Sequence, residues 1–309
     1  MTHLVDGAAP DGWLSRLSRI RYRGRRVDWQ AYLFILPFAL IFIVITLLPI
    51  FFGIYISFNE WGIVGDPEWV GLDNFREAMQ DDWIPKVWGN TFQMAALVVP
   101  GTVIVALLMA LWINREQWFS GPIRTAFFAP HVVAITVTAI IWIWIFEKET
   151  GLLNLALYGV GIPKQGWLTT SKWVIQSISL VTIWQAVGFH MVILLAGLKE
   201  IPAELGEAAV IDGASGWQAF WRITLPLLTP ALGLVITLEI ISAFRIFGQV
   251  YLMTGGGPGG HSATIVSYIY HEGFVRFRLG FAAALSLLLF LTILIFTLLR
   301  ARLVREHSN

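Results

Sequence analysis

Six apolar stretches, at residues 32–56, 91–113, 124–146, 174–195, 227–247 and 279–299, are each about as long as the roughly 20 residues a helix needs to cross a bilayer. They predict an all-α integral membrane protein with about six transmembrane helices. Composition agrees, because 57% hydrophobic and 13% charged residues with a mean hydropathy of +0.70 separate the chain from soluble domains of its length. The first stretch is too long, and lacks the small-residue cleavage pattern, for a removable signal peptide, so it is read as a span. Pro37 and Pro49 are its candidate bends. The absence of cysteine excludes disulfides, thiolate metal sites and a thiol nucleophile.

Orientation follows from the flanking cations. Arg16, Arg19, Arg21, Arg23, Arg25 and Arg26 precede the first span, whereas the 59–90 loop holds only Arg76 and Lys86 among many carboxylates. The N-terminus is therefore expected on the cytoplasmic side. Six crossings return the C-terminus there, with Arg300, Arg302 and Arg305, and the Arg115 and Arg124 loop also falls inside. Residues 1–30 read as a basic cytoplasmic segment, either a solvated tail or a short interfacial helix with Trp13, Leu17 and Ile20 on one face. Residues 31–309 read as one membrane domain. The cations are too scattered between spans to suggest a nucleic-acid partner.

The stretch "GGGPGGHS" at 255–262 matches a phosphate-binding loop except that His261 replaces the lysine. Pro258 offers no N–H to a phosphate, and the position after the fifth span puts the segment outside. It is read as an external turn between helices.

The 201–230 segment, "IPAELGEAAVIDGASGWQAFWRITLPLLTP", carries helix punctuation on the expected cytoplasmic face. Pro202 suits the first helical position, Glu204 the positive end of the helix dipole, and Gly213 the left-handed conformation that stops a helix. Ser215 and Gln218 fit a capping box, so a second short helix should run from about 216 toward 224, with Pro226 ending it. Ala208 and Ala209 leave the first helix slim. A DNA-binding helix-turn-helix is disfavoured, since Arg222 is the one base in the hairpin.

These residues resemble the membrane-spanning permease subunits of bacterial binding-protein-dependent ABC importers, in particular the maltose/glycerol-phosphate-type carbohydrate-uptake branch. The family's loop signature stands here as Glu207, Ala208, Ala209, Gly213, Ile223, Leu225 and Pro226, with Asp212 before the glycine. The likeness extends through "WVGLDNF" (69–75), "NT" (90–91), "RTAFFAP" (124–130), "GLLN" (151–154) and "YLMTGGGP" (251–258). It implies a type I importer permease fold whose loop at about 198–226 couples to a separate cytoplasmic ATPase, with Glu207 as charged contact and Gly213 as hinge or turn. It further implies a second permease subunit forming a heterodimer, two copies of the ATPase, and an extracytoplasmic solute-binding protein that delivers a carbohydrate. ATP and Mg would be held by the ATPase, with no cofactor and no catalysis on this chain, and the location would be the bacterial inner membrane.

Ionisable groups inside a span cost roughly 2.5 to 3.5 kcal/mol, so each needs a reason. Glu239 is the clearest, with Ser242 on the same side of its helix. Thr182, Gln185 and His190 recur at helical spacing in the fourth span. These five are the candidate substrate pathway, with Trp184, Phe244 and Tyr251 nearby as sugar-stacking surface; interhelical hydrogen bonding is the alternative. An anionic Glu239 tilts the expectation toward a neutral or amino sugar, against which Arg245 and His131 weigh. A proton-coupled secondary transporter using Glu239 is the rival reading. A membrane-embedded enzyme is disfavoured by the lack of H-E-x-x-H, phosphate-loop and serine-elbow motifs.

Overall fold

The computed structural model describes residues 29–62, 64–115 and 120–305, so the basic leader and its Trp13, Leu17 and Ile20 lie outside the described residues. The chain divides into two compact units, Met1–Phe52 and Gly53–Asn309. The described part of the first is an apolar helix with Leu33 to Phe52 almost wholly exposed. Pro37 sits within the uninterrupted α-helix Trp29–Phe42. Ahead of Pro49 the helix widens into a π turn, Ile43–Leu47, before resuming as Leu48–Ser57. Such a turn absorbs the carbonyl that proline leaves unpaired.

In the second unit the helices Trp83–Arg115 and Val174–Lys199 form the most extensive pair. Small residues let them approach: Ala106 and Ala110 are fully buried, and a Cβ at Gly101 would lie 2.6 Å from the Ile183 side chain. Met94, Val98, Ile178 and Val181 fill one end of the seam, and Met191, Leu194 and Leu198 the other. Thr229–Phe244 packs on both helices, and the C-terminal helix Leu279–Arg305 packs on Thr229–Phe244.

Among the described residues, four helices are long and apolar enough to cross a membrane, and two helix pairs bent by more than 40° bring the number to six if each pair is one span. The expected third span breaks at Val133–Ala134, with Gly121–Val132 and Ile135–Ile145 meeting at 96°. Tertiary contacts lie on and beside it. Gly188 receives the backbone of the Ser120–Val132 helix so closely that a Cβ there would lie 1.9 Å from the Phe127 carbonyl oxygen. At the break, the Gln185 amide donates to the Val133 carbonyl at 3.3 Å. A Gly188→Val substitution is therefore expected to destabilise the protein by about 3 kcal/mol or more, since backbone cannot rotate away as a side chain can. Thermal unfolding in detergent checks this, and an unchanged midpoint would remove the contact from the account.

Where the fifth span is expected, the helix Thr229–Phe244 meets a helical stretch spanning Gly216–Leu227 at 67°. Pro226 does not end that stretch as expected. A π turn, Phe220–Thr224, precedes it, and a final turn, Leu225–Leu227, contains it.

Between spans, several quoted motifs serve as anchors. Asn90 Nδ2 donates to the carbonyls of Gly260 and Ala263, both at 2.9 Å, and Thr91 Oγ1 accepts from Ile265 N at 2.9 Å. The glycine stretch is thus pinned to the Trp83–Arg115 helix. It is a turn joining Gly248–Thr254 to Ile265–Tyr270, with Gly255, Gly256, Gly259 and Gly260 all at positive φ. Asn74 Nδ2 bonds the carbonyls of Ser57 and Asn59 beside a two-stranded hairpin, Asn59–Glu60 with Glu68–Trp69. Asn154 holds Lys148 and Gln165 through its amide nitrogen and accepts from the Trp167 indole.

Candidate functional site

The 201–226 hairpin forms as its punctuation dictates. Helix Ala203–Ile211 has Pro202 as N-cap, one residue before the first helical position, and Glu204 in its first turn. Gly213 adopts φ +76°, and Ala214 N reaches back to the Ala209 carbonyl at 2.9 Å, closing a Schellman-type stop. Ser215 then starts Gly216–Ala219 with both halves of a capping box, Gln218 N to Ser215 Oγ at 3.3 Å and Ser215 N to Gln218 Oε1 at 2.8 Å.

The signature residues fall into two sets. Ala209 is buried, while Ile223 and Leu225 are half-buried. Glu207, Ala208, Asp212, Gly213 and Pro226 are exposed. Beside them Val210, Ile211, Trp217 and Trp221 present apolar side chains to the outside, Ile211 at 86% exposure. That is too much apolar surface for a free hairpin in water.

At the other end of the Thr229–Phe244 helix lies a polar cavity of about 390 Å³, which Thr182, Gln185, His190, Glu239 and Ser242 all line. Glu239 is 1% exposed. Its Oε1 accepts from the Thr102 hydroxyl at 2.9 Å, and its Oε2 lies 3.2 Å from His190 Nε2, an ion-pair distance whose orientation falls short of an aligned hydrogen bond. His190 Nδ1 faces the Ala186 carbonyl at 3.1 Å. A carbonyl only accepts, so Nδ1 carries a proton, and one further proton on either Nε2 or Oε2 would make the pair neutral overall. Burial of two ionisable groups is tolerable on those terms. Three helices meet at this cluster.

Thr182 bonds back to the Ile178 carbonyl, whereas Ser242 is exposed to the cavity. His131 and Arg245 line it as well, as do Phe247 and Gln249, whose amide approaches Gln185 Oε1 at 3.4 Å. Neither of the last two was a sequence candidate: Gln249 lies beyond the expected 227–247 span, and Phe247 counted only as one of its apolar residues, although the helix itself ends at Phe244. Of the three nearby aromatics, Phe244 is buried in the core and Trp184 stacks edge-on to Trp142. Among the described residues, no cluster of three or more His, Cys, Asp or Glu could hold a metal ion.

Comparison with known proteins gives consistent findings. The family described as "Binding-protein-dependent transport system inner membrane component" matches residues 102–307. The trehalose/maltose transport system permease protein MalF of Thermococcus litoralis is 32% identical over 94% of this chain and 98% of its own length. The arabinooligosaccharides transport system permease protein AraP of Bacillus subtilis is 33% identical over 88% and 87%. A chain of a bacterial alginate ABC transporter, solved with its alginate pentasaccharide-bound periplasmic protein, superimposes with a TM-score of 0.79 at 25% identity, covering 90% of this chain and 95% of that one. With a matched profile over two thirds of its length and full-length relatives above 30% identity, this chain belongs to the inner membrane components of binding-protein-dependent transport systems, as a multi-pass transport subunit.

Proposed function

We propose that this chain forms half of a carbohydrate pathway, the other half coming from a second permease subunit in a heterodimer. An extracytoplasmic solute-binding protein delivers the sugar, and two copies of a cytoplasmic ABC ATPase, holding ATP and Mg, receive the hairpin through Glu207 and its exposed neighbours. Both termini then lie in the cytoplasm. The observation that carries this reading is that one helix, Thr229–Phe244, has the hairpin at its first end and Glu239 and Ser242 toward its other. Rigid-body movement of the hairpin is thereby delivered to the polar cavity, which supports a pathway that opens alternately to the two sides. The names of the relatives support carbohydrate as cargo.

Purification in mild detergent tests the assembly: an ATPase and a second permease are expected to accompany the chain. Uptake of labelled maltose, trehalose and arabinotriose by cells with and without the chain tests the cargo, and equal uptake of all three would overturn it. The buried His190–Glu239 pair favours one rival, a proton-coupled transporter. Uptake by vesicles holding this chain alone, without ATP, would establish that rival.

A further inference from the structure

A second cavity of about 490 Å³ lies beside the glycine turn, separate from the polar one. Its wall is glycine backbone at Gly255, Gly256, Gly257 and Gly260, faced by Trp83 and Tyr251. Its volume falls in the range of small-molecule sites, and Ser267, His271 and Arg276 add a few polar groups. One cluster of rings connects the two cavities. Phe247, which lines the polar cavity, stacks on Tyr251 at 5.3 Å and meets Tyr270 at 5.1 Å. Tyr251 and Tyr270 line the glycine cavity, and Phe274 stacks on Tyr270 at 5.5 Å. The arrangement is not that of a core, because Tyr251 is 49% and Phe274 66% exposed.

We infer that Phe274, Tyr270, Tyr251 and Phe247 form an aromatic track that receives a carbohydrate at the glycine cavity and passes it to the polar cavity. Sugar rings present an apolar C–H face edged by hydroxyls. Tyrosine matches both, with a flat apolar face and a hydroxyl at its tip. A row of similar rings, each loosely bound, suits passage better than one tight site, since a deep site would hold the sugar. The glycines keep the cavity open: side chains at Gly255 and Gly256 would be strained at φ +59° and +88°, and any Cβ at Gly260 would strike the Trp83 ring at 2.4 Å.

This inference rests on the carbohydrate reading above, and its test separates the two. Uptake of maltose, trehalose and arabinotriose is measured in cells carrying the intact importer, with the amount of chain in the membrane as reference. For the sugar that is moved, the double substitution Tyr251→Leu with Phe274→Leu is expected to lower uptake at limiting concentration about tenfold or more. Tyr251→Phe and Phe274→Trp, which keep the rings, are expected to leave it within about twofold of wild type. Stimulation of ATP hydrolysis by the binding protein should persist in all of them. Wild-type uptake by the leucine variant overturns the track and leaves the carbohydrate reading standing. Loss of the second permease on purification of that variant also overturns it, since the rings would then be a subunit contact. If no sugar depends on the chain, both inferences fall together.

Discussion

Replacing Glu207 with alanine is expected to lower substrate uptake about thirtyfold or more, the consequence of truncating a charged group at the contact proposed above with the ATPase. The folded chain should hardly notice. Glu207 is exposed and makes no ion pair among the described residues, and such surface substitutions usually change stability by less than about 0.5 kcal/mol. Gly213→Val should give the same transport defect for a different reason. At φ +76° a β-branched residue carries a backbone strain of about 1–3 kcal/mol, enough to reshape the turn between the two short helices. Membrane abundance and ATP hydrolysis by the purified complex, measured with uptake, distinguish uncoupling from unfolding. Uptake at wild-type rates in both variants would make the hairpin a connector only.

The second large effect is at the buried pair. Glu239→Leu leaves His190 and the Thr102 hydroxyl without their partner, and breaking a buried pair from one side typically costs about 3–5 kcal/mol. Reduced membrane levels are expected. Adding His190→Leu removes the stranded group and should restore most of that stability, because an apolar pair of similar volume is often neutral. Transport should remain lost in the double variant if the cavity's polar groups handle substrate. Recovered uptake with recovered stability would make the pair a structural link between helices.

What the sequence revealed was largely local. Ser215, Gln218 and Gly213 specify their caps through bonds spanning three to five residues, so the hairpin could be read before the structure was known. The helical spacing of Thr182, Gln185 and His190 likewise placed them near one cavity. The break at Val133–Ala134 was not read; the Gln185 bond at it and the Gly188 contact with Phe127 join residues more than 50 apart, which no local pattern signals. Pro226 was misread because the preceding π turn has no sequence marker. The Thr102 bond to Glu239 joins residues 137 apart, and no periodicity signals it. Asn90 and Thr91 stood out only as a motif; their role in pinning the glycine turn needed the fold.

Because the chain has no cysteine, one introduced at position 207 reports on that position alone. Crosslinking from Glu207→Cys in inside-out vesicles tests most directly the claim that work from another polypeptide enters through the hairpin. The expected product joins this chain to a cytoplasmic ATPase subunit, and its yield changes when ATP is bound. Labelling of the same cysteine by a membrane-impermeant maleimide from outside intact cells, with no ATPase product, would contradict it.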